Sequence, residues 1–170
     1  MPAPTTNTLI DVVNKRDEEV GTVRRGDALE QGQNFRTSHV FVLNSDGCLL
    51  LQRLAPQRDR HPGRWGSSVA AYLFAGESYY EGAARRMREE LGLSADLEYL
   101  GKIKMRDIDS LKFVSLFLVR SDSAEIREPD HISQLDYRQV EEIAEHLDER
   151  PEDFTPTFVK LFGAFGDKLR

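Results

Sequence analysis

Two neighbouring glutamates, Glu89 and Glu90, lie near the end of a segment whose pattern predicts an amphipathic helix. Apolar side chains recur in that segment at helical spacing and predict one core-facing stripe: Tyr80, Ala83, Ala84, Met87 and Leu91. Neighbouring carboxylates on a helix repel each other unless a positive charge lies between them. Because hard cations prefer oxygen ligands, the pair indicates a site for Mg²⁺, with Mn²⁺ as the alternative.

The polar side of the same helix also has an interpretation that needs no ligand. Three pairs of opposite charge are spaced four residues apart, and each would contribute about 0.2–0.5 kcal/mol on a solvated surface: Glu81–Arg85, Arg85–Glu89 and Arg86–Glu90. A glycine on this side, Gly82, costs about 1 kcal/mol relative to alanine. It either leaves room for a ligand or is simply tolerated. The helix taken alone leaves both interpretations open.

Start and stop signals bound this helix and place it among short strands. Ser78 and Glu81 form a capping box and Gly92 ends the helix, so we expect it over 78–91. Other segments predict strands at 9–13, 19–23, 40–43, 48–51, 67–74, 97–105, 111–120 and 135–138, and helices at 139–147 and 155–169. The expected class is α+β, with a mixed sheet between helices.

Length and composition limit the classes of protein to which the chain can belong. Its 170 residues favour one domain, with a loose tail at 1–8 and N-terminal strands within 9–35. A hydrophobic content of 39% excludes a disordered or membrane-spanning chain. The net charge of −6 gives no attraction to duplex nucleic acid or anionic membranes. The absence of a signal-peptide pattern and the single Cys48 favour the cytoplasm.

The segment from Gly76 to Leu93 resembles the Nudix box, whose pattern is G-x5-E-x7-R-E-U-x-E-E-x-G-U with U a bulky apolar residue. Seven of the nine positions match: Glu77, Arg85, Met87, Glu89, Glu90, Gly92 and Leu93. Ala71 stands at the first glycine, and Arg86 stands at the first helix glutamate. The resemblance extends from about Leu9 to the C-terminal helix. It implies a Nudix-type α/β/α sandwich with 76–93 as its loop–helix core.

This resemblance implies a metal-dependent hydrolase that cleaves a phosphoanhydride bond of nucleoside di- or triphosphates, or of other nucleoside diphosphate derivatives. It implies that Glu89 and Glu90 bind the metal ion, with the backbone carbonyl of Ala70 as a further ligand. Residues implied to support the site are Glu77, Arg85 and Gly92. Water would then attack phosphorus while the bound cation neutralises charge on the phosphate oxygens.

Basic and aromatic side chains around residues 53–72 are the candidates for substrate binding. Arginine suits phosphate because its planar guanidinium donates two parallel hydrogen bonds. The candidates, together with the arginine of the helix, are Arg53, Arg64, Tyr72 and Arg86, and Arg58 and Arg60 lie in the same basic loop. Solvated loop charges are the alternative interpretation.

Two residues have roles that the sequence leaves open. His131 lies six positions before Tyr137, where the family has an acidic residue, and it is either a ligand, the general base or an exposed loop residue. Alternative bases are Asp107, Asp109 and Glu128. Arg86 either contacts a phosphate oxygen, in place of one metal ion, or merely neutralises Glu90.

Within the superfamily, the nearest resemblance is to the branch that contains isopentenyl-diphosphate isomerases. Ala70 and Tyr72 stand where that enzyme has its cysteine acid/base and a histidine ligand, so isomerase activity is disfavoured. A second alternative is an inactive Nudix fold that binds a nucleotide or a protein, since three expected site features are altered: Ala71, Arg86 and His131. The expected partner is a small nucleotide, and the sequence does not decide between monomer and homodimer.

Overall fold

The computed structural model describes residues 7–170, so the tail expected at 1–8 lies mostly outside the described residues. Within this range the strands are β1 (Leu9–Val13), β2 (Glu19–Arg24), β3 (Asn34–Leu43), β4 (Leu49–Leu54), β5 (Trp65–Gly66), β6 (Val69–Tyr72), β7 (Glu98–Asp107), β8 (Ser110–Arg120) and β9 (Ile132–Arg138). The helices are α1 (Arg25–Glu30), α2 (Tyr79–Leu91), α3 (Val140–Glu149) and α4 (Pro156–Phe165). None of these helices is long and apolar enough to cross a membrane.

Strand β3 is the centre of a mixed sheet, because it pairs with four other strands. β8 runs parallel to it, in a register that pairs Phe35 with Lys112 and Leu43 with Arg120. β1, β4 and β6 pair with it in the antiparallel direction. The sheet continues from β8 to β7 and from β4 to β5 and β9. This sheet confirms the α+β class expected from the sequence.

Helices cover both faces of the sheet. Successive side chains of β3 point to opposite faces, so Val40 and Val42 pack with Met87 of α2 on one side. On the other side Phe41 packs with Phe158 of α4. The two buried clusters form the core of an α/β/α sandwich, as the Nudix resemblance implied.

Some expected boundaries need correction. The segment 9–35 contains helix α1 as well as strands, and Ala28 of this helix is buried with Ile10 and Phe35. Six residues are too few to show a helical period, so the pattern carried no signal for α1. The strand expected at 67–74 is shortened to β6, and the helix expected at 155–169 ends at Phe165 before a 3₁₀ turn.

Helix α2 has the ends that its sequence predicts. Ser78 accepts from the backbone N–H of Glu81, the reciprocal bond completes the capping box, and Gly92 ends the helix at φ = 69°. The core stripe is wrong at its first position, since Tyr80 is 43% exposed and rests edge-on against Phe117. The room beside Gly82 is taken by the side chain of Leu73, which a Cβ would overlap, so the glycine permits close packing rather than ligand access.

Candidate active site

The polar side of α2 is buried against the sheet and the loop before β9. Arg86 and Glu90 are only 3% and 2% exposed, and Arg85 is buried as well. The backbone N–H of Arg127 donates to the Glu90 carbonyl at 2.9 Å, which holds that loop against the helix. The interpretation of this side as a solvated surface is therefore wrong. Its charged groups interact with each other inside the protein.

Three acids form what we call the carboxylate cluster, namely Glu89, Glu90 and Glu128, with Arg86 at its centre. Arg86 Nη1 donates to Glu89 Oε2 at 2.9 Å. Its Nη1 and Nη2 donate to the two oxygens of Glu128 at 3.1 and 2.7 Å. Nη2 also lies 3.5 Å from Glu90 Oε2. Arg85 Nη1 also donates to Glu89 Oε1 at 3.3 Å, but it is paired with Glu77 as well. The three carboxyl groups are therefore only partly balanced, and an additional cation would be attracted to them.

Glu90 is the most deeply buried acid of the cluster. Gln52 Nε2 donates to its Oε1 at 3.3 Å, whereas its Oε2 has no hydrogen-bond partner among the described residues. Burial raises the pKa of Glu90 to about 7, although Arg86 acts in the opposite direction. Burial alone would lower the pKa of Arg86. The opposite effect of Glu90 and Glu128 is larger, so the pKa lies above its ordinary value and the guanidinium stays charged. An unpartnered buried carboxyl oxygen is a group that a cation would satisfy.

Arg85, the preceding residue of the helix, shares Glu89 with Arg86, since its Nη1 donates to Glu89 Oε1 at 3.3 Å, but its other partners lie outside the cluster. Its Nε and Nη2 donate to the two oxygens of Glu77 at 2.7 and 2.9 Å. Nη2 also donates to the Tyr72 carbonyl at 3.0 Å, and the guanidinium lies 3.6 Å above the ring of Phe74. Glu77 in turn accepts from the backbone N–H of Phe74 at 2.6 Å. These contacts hold the loop before α2 against the helix.

A cavity of about 150 Å³ lies next to the carboxylate cluster. Gln52 connects the two features, since it lines the cavity and its amide contacts Glu90. The charged side chains that line the cavity are Arg25, Arg58, Arg60, Lys112 and Asp59. Arg60 and Lys112 share Asp107 as an ion-pair partner, at 2.6 and 3.2 Å. Cations outnumber acids around this cavity, which therefore suits an anionic ligand.

Of the residues that the sequence suggested for metal and substrate binding, some line the cavity and others do not. Ala70 and Tyr72 line the cavity from β6. Arg53 and Arg64 do not line it, and each donates to a backbone carbonyl, at 3.0 and 3.4 Å respectively. A direct role of these two arginines in substrate binding stays a prediction.

His131 lies in the loop before β9, three residues beyond Glu128. Its backbone carbonyl accepts from Ala55 at 2.9 Å and from Arg58 Nη1 at 3.4 Å. Burial lowers the pKa of His131, and the positive charge of Arg58 lowers it further. The imidazole is therefore neutral near pH 7 and can accept a proton.

Two residues of the site were underestimated or missed in the sequence. Glu128 ranked below His131, because no pattern predicts that a loop acid returns to the helix and contacts Arg86 with both oxygens. Gln52 was missed, although its position in the run Leu49–Leu54 carried a signal. A polar side chain inside a buried apolar strand needs an internal partner, and Gln52 has two, the Ser68 carbonyl and Glu90.

The oxygen atoms of the carboxylate cluster fit a magnesium ion, because carboxylate oxygens are its preferred protein ligands and Glu90 Oε2 accepts no hydrogen bond from the described residues. Within residues 7–170, however, no group of three or more His, Cys, Asp or Glu side chains is arranged to hold a metal ion alone. A divalent ion bound by Glu89 and Glu90 would need further oxygen ligands from the substrate or the backbone. Magnesium commonly binds in this way, through few carboxylates and substrate phosphates.

Comparisons with known proteins identify the family. The model of the NUDIX domain matches residues 33–158. A Nudix hydrolase of Deinococcus radiodurans is 32% identical over 73% of this chain and 74% of its own length. An isopentenyl-diphosphate Delta-isomerase of Pectobacterium atrosepticum is 29% identical over 94% of this chain and 92% of its own length.

A solved structure agrees with these sequence relationships. The crystal structure of a protein from Deinococcus radiodurans superimposes with a TM-score of 0.70 at 30% identity, and the match covers 83% of this chain and 89% of that one. The family match spans most of the chain and includes α2, where the matched box residues lie in the arrangement described above. The chain therefore belongs to the NUDIX family and is an enzyme of the Nudix hydrolase type.

Proposed function

We propose that this enzyme is a metal-dependent hydrolase that cleaves a phosphoanhydride bond of nucleoside di- or triphosphates, or of other nucleoside diphosphate derivatives. The observation that carries the proposal is the carboxylate cluster beside a cationic cavity, with Gln52 contacting both. Acidic side chains predominate in the first region and cationic side chains predominate in the second. One suits a metal ion and the other suits the anionic substrate that the ion would contact.

Glu89 and Glu90 are proposed as the residues that hold Mg²⁺, or Mn²⁺ in its place. The carbonyl of Ala70, at the cavity wall, is proposed as a further ligand. The bound ion would supply positive charge to the phosphate oxygens, which lowers the barrier to attack by water. Arg85 and Glu77 support the site by fixing the loop before α2.

Arg86 is proposed to act as a permanent cation of the site. In the structure it keeps three acids close together, which would otherwise repel each other in a buried place. A guanidinium has five N–H donors, so it can contact a phosphate oxygen while retaining one of its carboxylate partners. The interpretation in which it only neutralises Glu90 is less favoured, because Glu128 and Glu89 are its closer partners.

His131 is proposed as the general base that takes a proton from the attacking water. Its lowered pKa leaves the ring neutral at physiological pH, as a base requires. Glu128 is the alternative, but both of its oxygens already accept hydrogen bonds from Arg86.

Isomerisation of isopentenyl diphosphate is the activity to be distinguished, because similar proteins carry that name. The isomerase resemblance places its cysteine and histidine at Ala70 and Tyr72, and both of these side chains line the cavity. An alanine cannot transfer a proton to an alkene, so we propose that this chain does not catalyse the isomerisation. We also propose a cytoplasmic location, on the basis of the single cysteine.

A substrate panel tests the proposal. Purified protein is incubated with nucleoside di- and triphosphates and nucleotide sugars, with Mg²⁺ or with EDTA, and the nucleotide products are separated and quantified by anion-exchange chromatography. We expect turnover of at least one nucleotide, loss of turnover in EDTA and recovery with added Mg²⁺. Absence of metal-dependent turnover on every compound would contradict the proposal. Uptake of deuterium into isopentenyl diphosphate in D₂O would support the isomerase instead.

A further inference from the structure

The cavity beside the carboxylate cluster has a buried polar wall, which we define as Thr37, His39 and Lys112. All three side chains line the cavity and belong to the strands β3 and β8, whose backbones are fixed by parallel pairing. They are 5%, 6% and 9% exposed. Polar groups at this depth are unfavourable unless something satisfies them, so their presence in the wall needs a physical reason.

Thr37 provides the first indication of a ligand. Its Oγ1 is buried and has no hydrogen-bond partner among the described residues. Nearly all buried hydroxyl groups in proteins are bonded, and an exception calls for an explanation. Because Thr37 lines the cavity, a ligand that enters it can satisfy this hydroxyl.

Lys112 provides the second indication. Its Nζ donates to Thr157 Oγ1 at 2.8 Å and lies 3.2 Å from Asp107 Oδ2. An ammonium group has three N–H donors, so these contacts leave one for a ligand. Asp107 is also paired with both terminal nitrogens of Arg60, at 3.1 and 2.6 Å, and therefore only partly balances the charge of Lys112.

His39 completes the wall as a neutral polar group. Its Nδ1 is 2.7 Å from Ser67 Oγ. Burial lowers the pKa of His39 to about 3, and Lys112 acts in the same direction. The wall thus has one cation, one neutral imidazole and one free hydroxyl, and it offers donors to oxygen atoms. A hydrocarbon chain would leave the Thr37 hydroxyl and the third N–H of Lys112 without a partner.

We propose that the buried polar wall of the cavity binds the base of the anionic nucleotide, and that Thr37 and Lys112 select bases with a carbonyl oxygen (uracil, cytosine and guanine) over adenine. A carbonyl oxygen has two lone pairs and can accept from the hydroxyl and the ammonium at once, whereas each ring nitrogen of adenine has one lone pair and can accept from only one of them. With adenine one of the two buried donors therefore loses its water without gaining a partner, which is unfavourable. This inference deepens the proposed function and rests on it.

Calorimetric binding of nucleoside monophosphates tests the inference without any turnover, since these compounds have no phosphoanhydride bond. We expect UMP, CMP or GMP to bind the wild-type protein at least about tenfold more tightly than AMP. Thr37→Val removes only the free hydroxyl at nearly constant volume, so the variant should fold. In it we expect the preference to fall below about threefold.

Ser110→Ala is the matched control for Thr37→Val. Ser110 Oγ is also buried and without a partner, but the residue does not line the cavity. We expect this variant to keep the wild-type preference. Lys112→Met, in which Asp107 retains Arg60, is the second test of the wall, and we expect it to lose the preference as well.

Three results would overturn the inference: wild-type affinities for AMP and the carbonyl bases within about twofold of each other, no detectable binding of any monophosphate, or an unchanged preference in both folded variants. Selective binding by a protein that hydrolyses no nucleotide would instead overturn the proposed function and leave the base site standing. Hydrolysis without base preference would do the reverse. The two failures are therefore distinguishable.

Discussion

Two adjacent arginines on one helix belong to two different regions of this molecule. Arg85 belongs to the junction between the loop and α2, where it contacts Glu77, a backbone carbonyl and the ring of Phe74. Arg86 belongs to the carboxylate cluster, where its strongest contacts are carboxylates. Both arginines are buried. Arg85 matches the Nudix box, whereas Arg86 stands where the box has a glutamate. The two guanidinium groups share Glu89, to which Arg85 Nη1 donates at 3.3 Å. The other partners of Arg85 stabilise the fold, whereas those of Arg86 are acids that can also bind a cation.

The comparison teaches that burial and charge pairing alone do not identify a functional residue. The junction is fully satisfied, since both oxygens of Glu77 are bonded to Arg85. In the carboxylate cluster Glu90 Oε2 accepts no hydrogen bond from the described residues and has only the ion-pair contact with Arg86 at 3.5 Å. An incomplete set of partners is the feature that distinguishes the proposed site from a structural ion pair.

Glu90→Gln should give the largest effect, because it breaks the carboxylate cluster and leaves the junction intact. Glutamine keeps the volume but not the negative charge, so we expect turnover of the best nucleotide to fall about 10²–10³-fold. The fold should persist, since burial already favours the neutral form of this acid. Steady-state kinetics and circular dichroism measure the two effects. The exposed Glu145→Gln is the control, and wild-type activity in Glu90→Gln would exclude Glu90 from the site.

Arg86→Lys should give the next largest effect. Lysine keeps the positive charge, but it lacks the planar fork that lets Arg86 bond the two oxygens of Glu128 and one oxygen of Glu89 at the same time. We expect kcat/KM to fall about 10- to 100-fold, with a smaller loss of stability than a neutral replacement would cause. The measurement is steady-state kinetics beside urea unfolding. A variant with unchanged kinetics and lowered stability would show that Arg86 is only structural.

Arg85→Lys should reverse that pattern. The substitution removes the paired contacts with Glu77 and the stacking on Phe74, so we expect the free energy of unfolding to fall by about 2 kcal/mol. Activity measured well below the unfolding temperature should fall less than in Arg86→Lys. Urea unfolding at constant pH gives the stability change. If Arg85→Lys were the more damaging for catalysis, the assignment of the two regions would be reversed.

The pH dependence of stability extends the comparison to the polar wall, where His39 is buried without a carboxylate partner. Its folded pKa of about 3 lies below the unfolded value of 6.5, so the unfolded chain binds more protons between these values. Stability from this group is therefore present above pH 6.5 and is lost as the pH falls. Between pH 7.5 and 5 we expect it to contribute a loss of about 2 kcal/mol.

His39→Asn isolates that contribution, because asparagine has no titratable group and retains a polar group for Ser67. Between pH 7.5 and 5 we expect the free energy of unfolding of the variant to fall by about 2 kcal/mol less than that of the wild type. Urea titrations at the two pH values measure it. Parallel changes in the two proteins would show that His39 does not titrate as its burial requires.

Local signals in the sequence were sufficient to predict most of the fold. The capping box and Gly92 define α2 because they depend on residues a few positions apart. The Asn44–Gly47 turn and the apolar runs beside it predict a hairpin for the same reason. Helix α1 could not be predicted, since its six residues are held by packing on Ile10 and Phe35 rather than by a period of their own.

The candidate site could be predicted only where the chain is continuous. Glu89 and Glu90 follow from the motif, and the contact of Arg85 with Glu77 follows from their place in it. Glu128 reaches Arg86 across 42 positions, and Lys112 enters the cavity through the parallel pairing of β3 and β8. Contacts of that kind depend on strand order, which no local pattern contains.

Anomalous diffraction from crystals grown with Mn²⁺ and a non-hydrolysable nucleoside diphosphate analogue tests the central assignment most directly. If Glu89 and Glu90 hold a divalent ion against the diphosphate, a manganese peak will lie within about 2.5 Å of a carboxyl oxygen of each and of a phosphate oxygen. A bound analogue with no manganese beside these two side chains, or with manganese bound elsewhere in the protein, would contradict it.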